Sequence, residues 1–218
     1  KLLVVALLAW GVTLSNASIG FDASEEISVS QFMCMNNTGY QYYMARISKS
    51  NGQIDTIGIQ NLKNANQLTS LAFLYSVDAY LSPCFGACSP PVDQITTAIK
   101  AVADAKAWYT RLWIDVKNGD WPVNQIANQQ TILDMINQSA SLGGYGIGIY
   151  TDMDKWQKVT GNWDGARKYP LWWANNNTQP NFKNFQPFGG WTSPTMHQYT
   201  LGTSGACSMG NLNLNWSP

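Results

Sequence analysis

The 218-residue chain is short of charge: Lys+Arg and Asp+Glu stand at 13 each, only 12% of residues together, and the formal net charge is zero. No net field is available to steer a polyanion, which argues against nucleic acid or an anionic membrane surface as a partner. Histidine is nearly absent, with His197 alone. The four cysteines form no Cys-x-x-Cys pair, so the ligand spacing for zinc is poor, and no metal or other cofactor is expected. No Ser or Cys lies in a recognisable nucleophile elbow, which leaves His197 a structural role. Internal repeats, charge blocks and low-complexity tracts are also missing. The length is too small for two domains of ordinary size.

One long apolar run exists, Leu2 to Leu14, preceded by Lys1 and followed by the small residues Ser15-Asn16-Ala17. It reads as a signal peptide and is too short to span a membrane. The expected organisation is therefore a signal peptide over 1–17 and a single domain over 18–218. The mature protein would be secreted, or delivered to the lumen of a lysosome-like compartment. Cys34, Cys84, Cys88 and Cys207 fit two disulfides in such a compartment, although four cysteines allow three connectivities. A Cys34–Cys207 bond would tie the two ends of the domain together, and Cys84–Cys88 would close a small loop. Sequons at Asn36, Asn137 and Asn176 suit N-glycans on exposed loops, and Asn215 is a weaker one because Pro218 follows it.

Aromatics are plentiful, with 10 Trp and 10 Tyr beside many Asn and Gln. Aromatic faces stack on sugar C–H patches and amides hydrogen-bond hydroxyls, so this mixture suits a neutral, hydroxyl-rich ligand. Any one of these rings serves equally well as core. Strand candidates recur at 19–23, 43–48, 71–80, 111–116, 145–151, 170–174, 195–200 and 212–216. Helical stretches lie at 30–36, 55–66, 92–109, 124–142 and 153–160. Alternation of this kind predicts a parallel sheet with helices outside, and eight strands favour closure. The expected fold class is α/β, an irregular, flattened TIM-like (β/α) barrel of eight strands with fewer than eight helices, the last strands joined by loops. Reactive groups then belong at the C-terminal strand ends.

Asp22 ends the first strand, where a turn acid would also fit. In Leu112-Trp113-Ile114-Asp115-Val116-Lys117, period-two alternation puts Trp113, Asp115 and Lys117 on one face, with Asp115 and Lys117 close enough to pair as ions. The last strand places Asn211, Asn213 and Asn215 on the face opposite Leu212 and Leu214. Asp78 and Tyr80 share a face of the third strand. Tyr80, Tyr150, Trp172, Trp173 and Trp191 lie at or after strand ends, where they are candidates to stack on sugar rings.

The segments Gly20-Phe21-Asp22-Ala23-Ser24, Val77-Asp78-Ala79-Tyr80-Leu81-Ser82-Pro83-Cys84, Leu112-Trp113-Ile114-Asp115-Val116, Phe188-Gly189-Gly190-Trp191 with Gln198-Tyr199, and Leu212-Asn213-Leu214-Asn215-Trp216 together resemble the strand motifs of glycoside hydrolase family 25 lysozymes. The invertebrate and amoebal branch, with its cysteine-bearing loop after the third strand, is the most similar. The resemblance spans the mature chain. It implies a flattened eight-stranded barrel and an ancestral activity that cuts the N-acetylmuramic acid–N-acetylglucosamine bond of peptidoglycan. Asp22 matches the family's first-strand aspartate and Asp115 the first acid of its Asp-x-Glu motif. The glutamate position holds Lys117, and the last-strand aspartate position, allowing a one-residue gap, holds Asn213.

Glycoside hydrolysis needs a carboxylic acid to protonate the leaving oxygen and an anionic group to assist water or stabilise the oxocarbenium ion. A lysine beside Asp115 would hold it ionised and oppose that cation. The sequence thus predicts a lysozyme-like protein that binds peptidoglycan or another polysaccharide and is impaired as a hydrolase. Two other readings stay open. One is an active muramidase whose acid is Asp22, Asp78 or Asp120; the other is an extracellular, self-assembling structural glycoprotein built on the barrel.

Overall fold

Each strand of this protein has two faces to bury, and the sequence alternates accordingly. On the strand Arg111–Asp115, Leu112 and Ile114 join an outer apolar layer while Trp113 enters an inner cluster with Tyr42, Met44, Tyr80, Tyr150, Trp172, Ala174 and Met196. A strand buried on both faces belongs inside a closed sheet covered by helices. The computed structural model describes residues 17–69, 74, 76–143 and 146–218, and shows that arrangement. The expected signal peptide lies outside these residues except for Ala17, as does most of 71–75.

The elements run β1 (Ser18–Asp22), α1 (Val29–Asn37), β2 (Tyr40–Ser48), α2 (Thr56–Thr69), β3 (Ser76–Leu81), α3 (Pro91–Asp104), β4 (Arg111–Asp115), α4 (Gln125–Ser141), β5 (Gly146–Thr151), α5 (Met153–Thr160), β6 (Leu171–Ala174), β7 (Met196–Thr203) and β8 (Leu212–Ser217). The eight strands close in sequence order. Pairs from β1–β2 through β6–β7 are parallel, whereas β8 runs antiparallel to both β7 and β1. The closed, irregular barrel is as expected; the reversal of β8 is the exception to the parallel order that alternation favoured, and connection length explains it. The segment 204–211 is too short for a crossover, which takes a dozen or more residues, so the chain must turn back on itself.

Local chemistry sets the helix ends. Ser28 and Gln31 form a reciprocal capping box at α1. Asn124 accepts from the Ala127 N–H at α4, and Asp152 accepts from the Lys155 N–H at α5. Helix α3 stops at Asp104 and not at Tyr109 as the pattern suggested. Lys106 takes a left-handed φ of 56°, and the N–H groups of residues 105–107 return to the carbonyls of Ala101, Ala103 and Val102.

Disulfides join Cys34 to Cys207 and Cys84 to Cys88. The first ties α1 to the turn before β8, across the seam where the barrel closes. Of the sequons, Asn176 lies exposed on a loop. Asn36 and Asn137 lie on α1 and α4, not on loops, because the helical pattern continues through them.

Candidate active site

Asp22 is the last residue of β1 and pairs across the ladder with Asn213 of β8. Its Oδ1 accepts from Gln198 Nε2 (2.8 Å) and Asn215 Nδ2 (2.8 Å), and its Oδ2 from Asn213 Nδ2 (2.7 Å). Two of these amides are themselves oriented. The Tyr150 hydroxyl donates to Gln198 Oε1 (2.5 Å), and Trp172 Nε1 donates to Asn215 Oδ1 (2.8 Å). With each amide oxygen taken by a donor, the N–H groups are left facing the carboxylate. Burial raises the Asp22 pKa above the ordinary carboxylate value, with a smaller push from Asp115; the three amide hydrogen bonds oppose it.

Asp115 ends β4, fully buried. Its Oδ2 accepts from Ser82 Oγ (2.5 Å) and Asn118 Nδ2 (2.9 Å), and its Oδ1 from the Asn118 N–H (2.8 Å). Burial again raises the pKa, against the pull of those donors. Lys117 does not pair with Asp115, contrary to the sequence expectation. The N–H groups of Val116 and Lys117 both donate to the Tyr150 carbonyl (2.9 and 3.2 Å), turning the chain toward the end of β5. There Lys117 Nζ forms an ion pair with Asp152, the N-cap of α5. The Lys117 side chain is 36% exposed and that of Asp152 20%, so the pair sits at the surface of the mouth.

Two depressions flank the carboxylates. One, of about 540 Å³, is lined by Asp22, Ser24, Arg46, Lys49, Tyr80, Ser82, Asn118 and Asn213. Arg46 within it is tied to buried Asp55 (2.7 Å). The other, of about 330 Å³, is lined by Lys117, Asp152, Trp173, Asn175, Asn176, Asn184, Gln186 and Gln198. Amides, hydroxyls and an aromatic edge thus surround a mouth with little free charge, the chemistry that receives sugar hydroxyls. Among the described residues, no group of three or more His, Cys, Asp or Glu side chains converges as a metal site would require.

The mouth gathers Asp22, Asp115, Lys117, Asn213 and Tyr80, with Tyr150 and Trp172 just beneath as supports; Trp172 is only 1% exposed. Three candidates fall elsewhere. Asp78 sits near the start of β3, at the far end of the barrel, because two residues of strand separate each interior layer and Ser82, not Asp78, reaches the mouth. Trp191 packs outside the barrel against Trp156 and Phe188 and donates to the Tyr169 carbonyl (2.8 Å). Asp120 lines a separate cavity with Trp121, Lys155 and Lys158. His197 is structural: its ring stacks on Trp173 and its nitrogens meet the carbonyls of Asn181 and Asn175. Not singled out from sequence were Ser82, Gln198, Asn118 and Asp152, whereas Asn215 lies on the face of the last strand that alternation gave it. Extending the alternation Asp78, Tyr80 to Ser82 would have found the first.

A closed, mostly parallel barrel that holds buried aspartates at the C-terminal ends of β1 and β4, beneath an amide-rich mouth, has the plan of the (β/α) barrels, whose reactive groups sit at that end of the strands. Similarity to known proteins narrows the class. A family model described as lysozyme-like protein 1 matches residues 13–199. Lysozyme-like protein 5 of Caenorhabditis elegans is 32% identical over 216 residues, 98% of each chain. Probable GH family 25 lysozyme 4 of Dictyostelium discoideum is 34% identical over 203 residues, 93% of this chain and 92% of that one. The fold is shared with a GH25 lysozyme from Aspergillus fumigatus, at 18% identity and a TM-score of 0.64 over 93% of this chain and 95% of that one. The chain belongs to the glycoside hydrolase family 25 lysozymes and lysozyme-like proteins.

Proposed function

We propose that this is a secreted, lysozyme-like protein that holds peptidoglycan, or a polysaccharide of similar chemistry, across the barrel mouth while cleaving it poorly. The observation that carries the reading is the ion pair of Lys117 with Asp152. By the resemblance Lys117 holds the position of the proton-donating glutamate, and the ion pair supports an ammonium, not an acid, at that rim. Asp115 is sealed under Ser82 and Asn118 with no exposed surface, so it touches no glycosidic oxygen. Asp22 is 2% exposed and both its oxygens already accept N–H donors. Loss of general acid catalysis alone removes about 10²–10⁴-fold in rate. The paired cysteines support export to an oxidising compartment, and the lysozyme names of the relatives support the choice of glycan.

Asp22 favours a second reading. It borders the larger depression and burial raises its pKa, two properties of a proton donor. In that case the protein is a working muramidase with a substituted acid. Co-sedimentation with insoluble peptidoglycan, with soluble fragments measured in the same tubes, separates the two. The proposal expects the protein in the pellet and fragments at the buffer level. Fragment release that Asp22→Asn abolishes would establish the second reading instead.

A further inference from the structure

The larger depression of the mouth is lopsided in its exposed charge. Its charged lining residues are Asp22, Arg46 and Lys49. The acid is sealed, since Asp22 is 2% exposed and its oxygens already accept three N–H donors. The bases are open, with the Arg46 side chain 29% and that of Lys49 37% exposed. Both face one carboxylate, Asp55, which is buried and does not line the depression. Arg46 Nε donates to Asp55 Oδ2 (2.7 Å), and the Gly58 N–H donates to Oδ1 (3.3 Å). Lys49 Nζ stays 3.9 Å from Oδ1, too far for a hydrogen bond. Among the described residues, the two Nη groups of Arg46 and the Nζ of Lys49 therefore donate no hydrogen bond, yet none of them is closed off from solvent.

Two cations share one carboxylate, which leaves a single positive charge on this wall. A singly charged group balances it, and that favours a carboxylate over a doubly charged phosphate monoester. The open fork of the guanidinium matches the two oxygens of a carboxylate, and the ammonium beside it adds further donors. Ser24, Ser50, Ser82 and Asn118 complete the lining with hydroxyls and an amide, which suit the hydroxyls of a sugar ring. A carboxylate carried on a sugar meets both sets of groups at once. Building on the reading that the mouth holds a polysaccharide, we propose that Arg46 and Lys49 select for glycans whose sugars carry a free carboxylate, either a uronate or the lactyl ether of muramic acid, and seat that carboxylate in this depression.

The test is NMR titration of the isotope-labelled full chain with two pairs of sugars that differ by the acid: D-glucuronic acid against D-glucose, and N-acetylmuramic acid against N-acetylglucosamine. The side-chain amides of Asn118 and Asn213 report on the depression, and the Trp113 indole N–H, bonded to Asp78 at the far end of the barrel, is the distant control. In at least one pair the acid should bind about tenfold more tightly than its neutral partner, moving the two amides and not the indole. The pair that shows it identifies the source of the carboxylate. Lys49→Gln should remove most of that preference. Arg46→Lys, which keeps a cation against Asp55 but loses the fork, should weaken it. Equal affinity within both pairs, or no shift at either amide, would overturn the proposal, as would a preference undiminished in folded Lys49→Gln. Pelleting with peptidoglycan but no preference for acids would sink this inference and leave the proposed function in place; a preference for acids without pelleting would support it and count against that function.

Discussion

Three side-chain amides converge on Asp22, and the partners behind them, Tyr150 and Trp172, are large buried rings. Trp172→Ala therefore removes an inner-core side chain and an amide support together, and should cost about 3–5 kcal/mol, measured by urea unfolding. Asp115 carries a pH signature. Burial lifts its folded-state pKa above the ordinary 3.8, so over the interval between the two values the folded protein binds the extra proton and stability falls as pH rises. Asp115→Asn lacks that loss. Its stability relative to wild type should improve from about pH 4 toward neutrality in thermal melts, and a relative decline over that range would count against buried Asp115. Asp22 and Asp115 end β1 and β4, as alternation suggested, while Lys117 lies two residues past β4. Sequence did not show that Lys117 turns to Asp152, because that follows from the backbone leaving β4 toward β5, a tertiary fact.

The elements were legible where periodicity was strong. Among the described residues eight strands and five helices overlap the stretches that alternation and helical spacing gave them, with α3 ended early at Lys106 and most of 71–75 outside the described residues. Two element-level features were not readable: the reversal of β8, which depends on the length of one connection, and the depth of Asp78, which depends on counting interior layers upward from the start of β3. How closely helices sit on the sheet was also hidden. A Cβ on Gly58 of α2 would stand 1.7 Å from the Arg46 carbonyl oxygen of β2. Gly58→Ala should thus push α2 off the sheet and cost at least about 2 kcal/mol, seen as a lower urea midpoint.

For the molecule as a whole, closure depends on β8 meeting β1, and Cys34–Cys207 spans that seam at a sequence separation of 173. Cys84–Cys88 spans only 4. Loop entropy rises with the length enclosed, so the Cys34→Ala, Cys207→Ala double variant should lose about 3–5 kcal/mol and the Cys84→Ala, Cys88→Ala variant clearly less, compared by calorimetry. The same barrel frames the functional claim, because it fixes Asp22 and Asp115 in place while Lys117 occupies the rim. The most direct test is the rate at which purified, disulfide-intact protein releases soluble fragments from peptidoglycan, set beside Lys117→Glu and a buffer blank. Wild type should release fragments at the blank level, with release rising in Lys117→Glu as a carboxyl faces Asp152. Robust release by wild type, equal to or above that of Lys117→Glu, would contradict it.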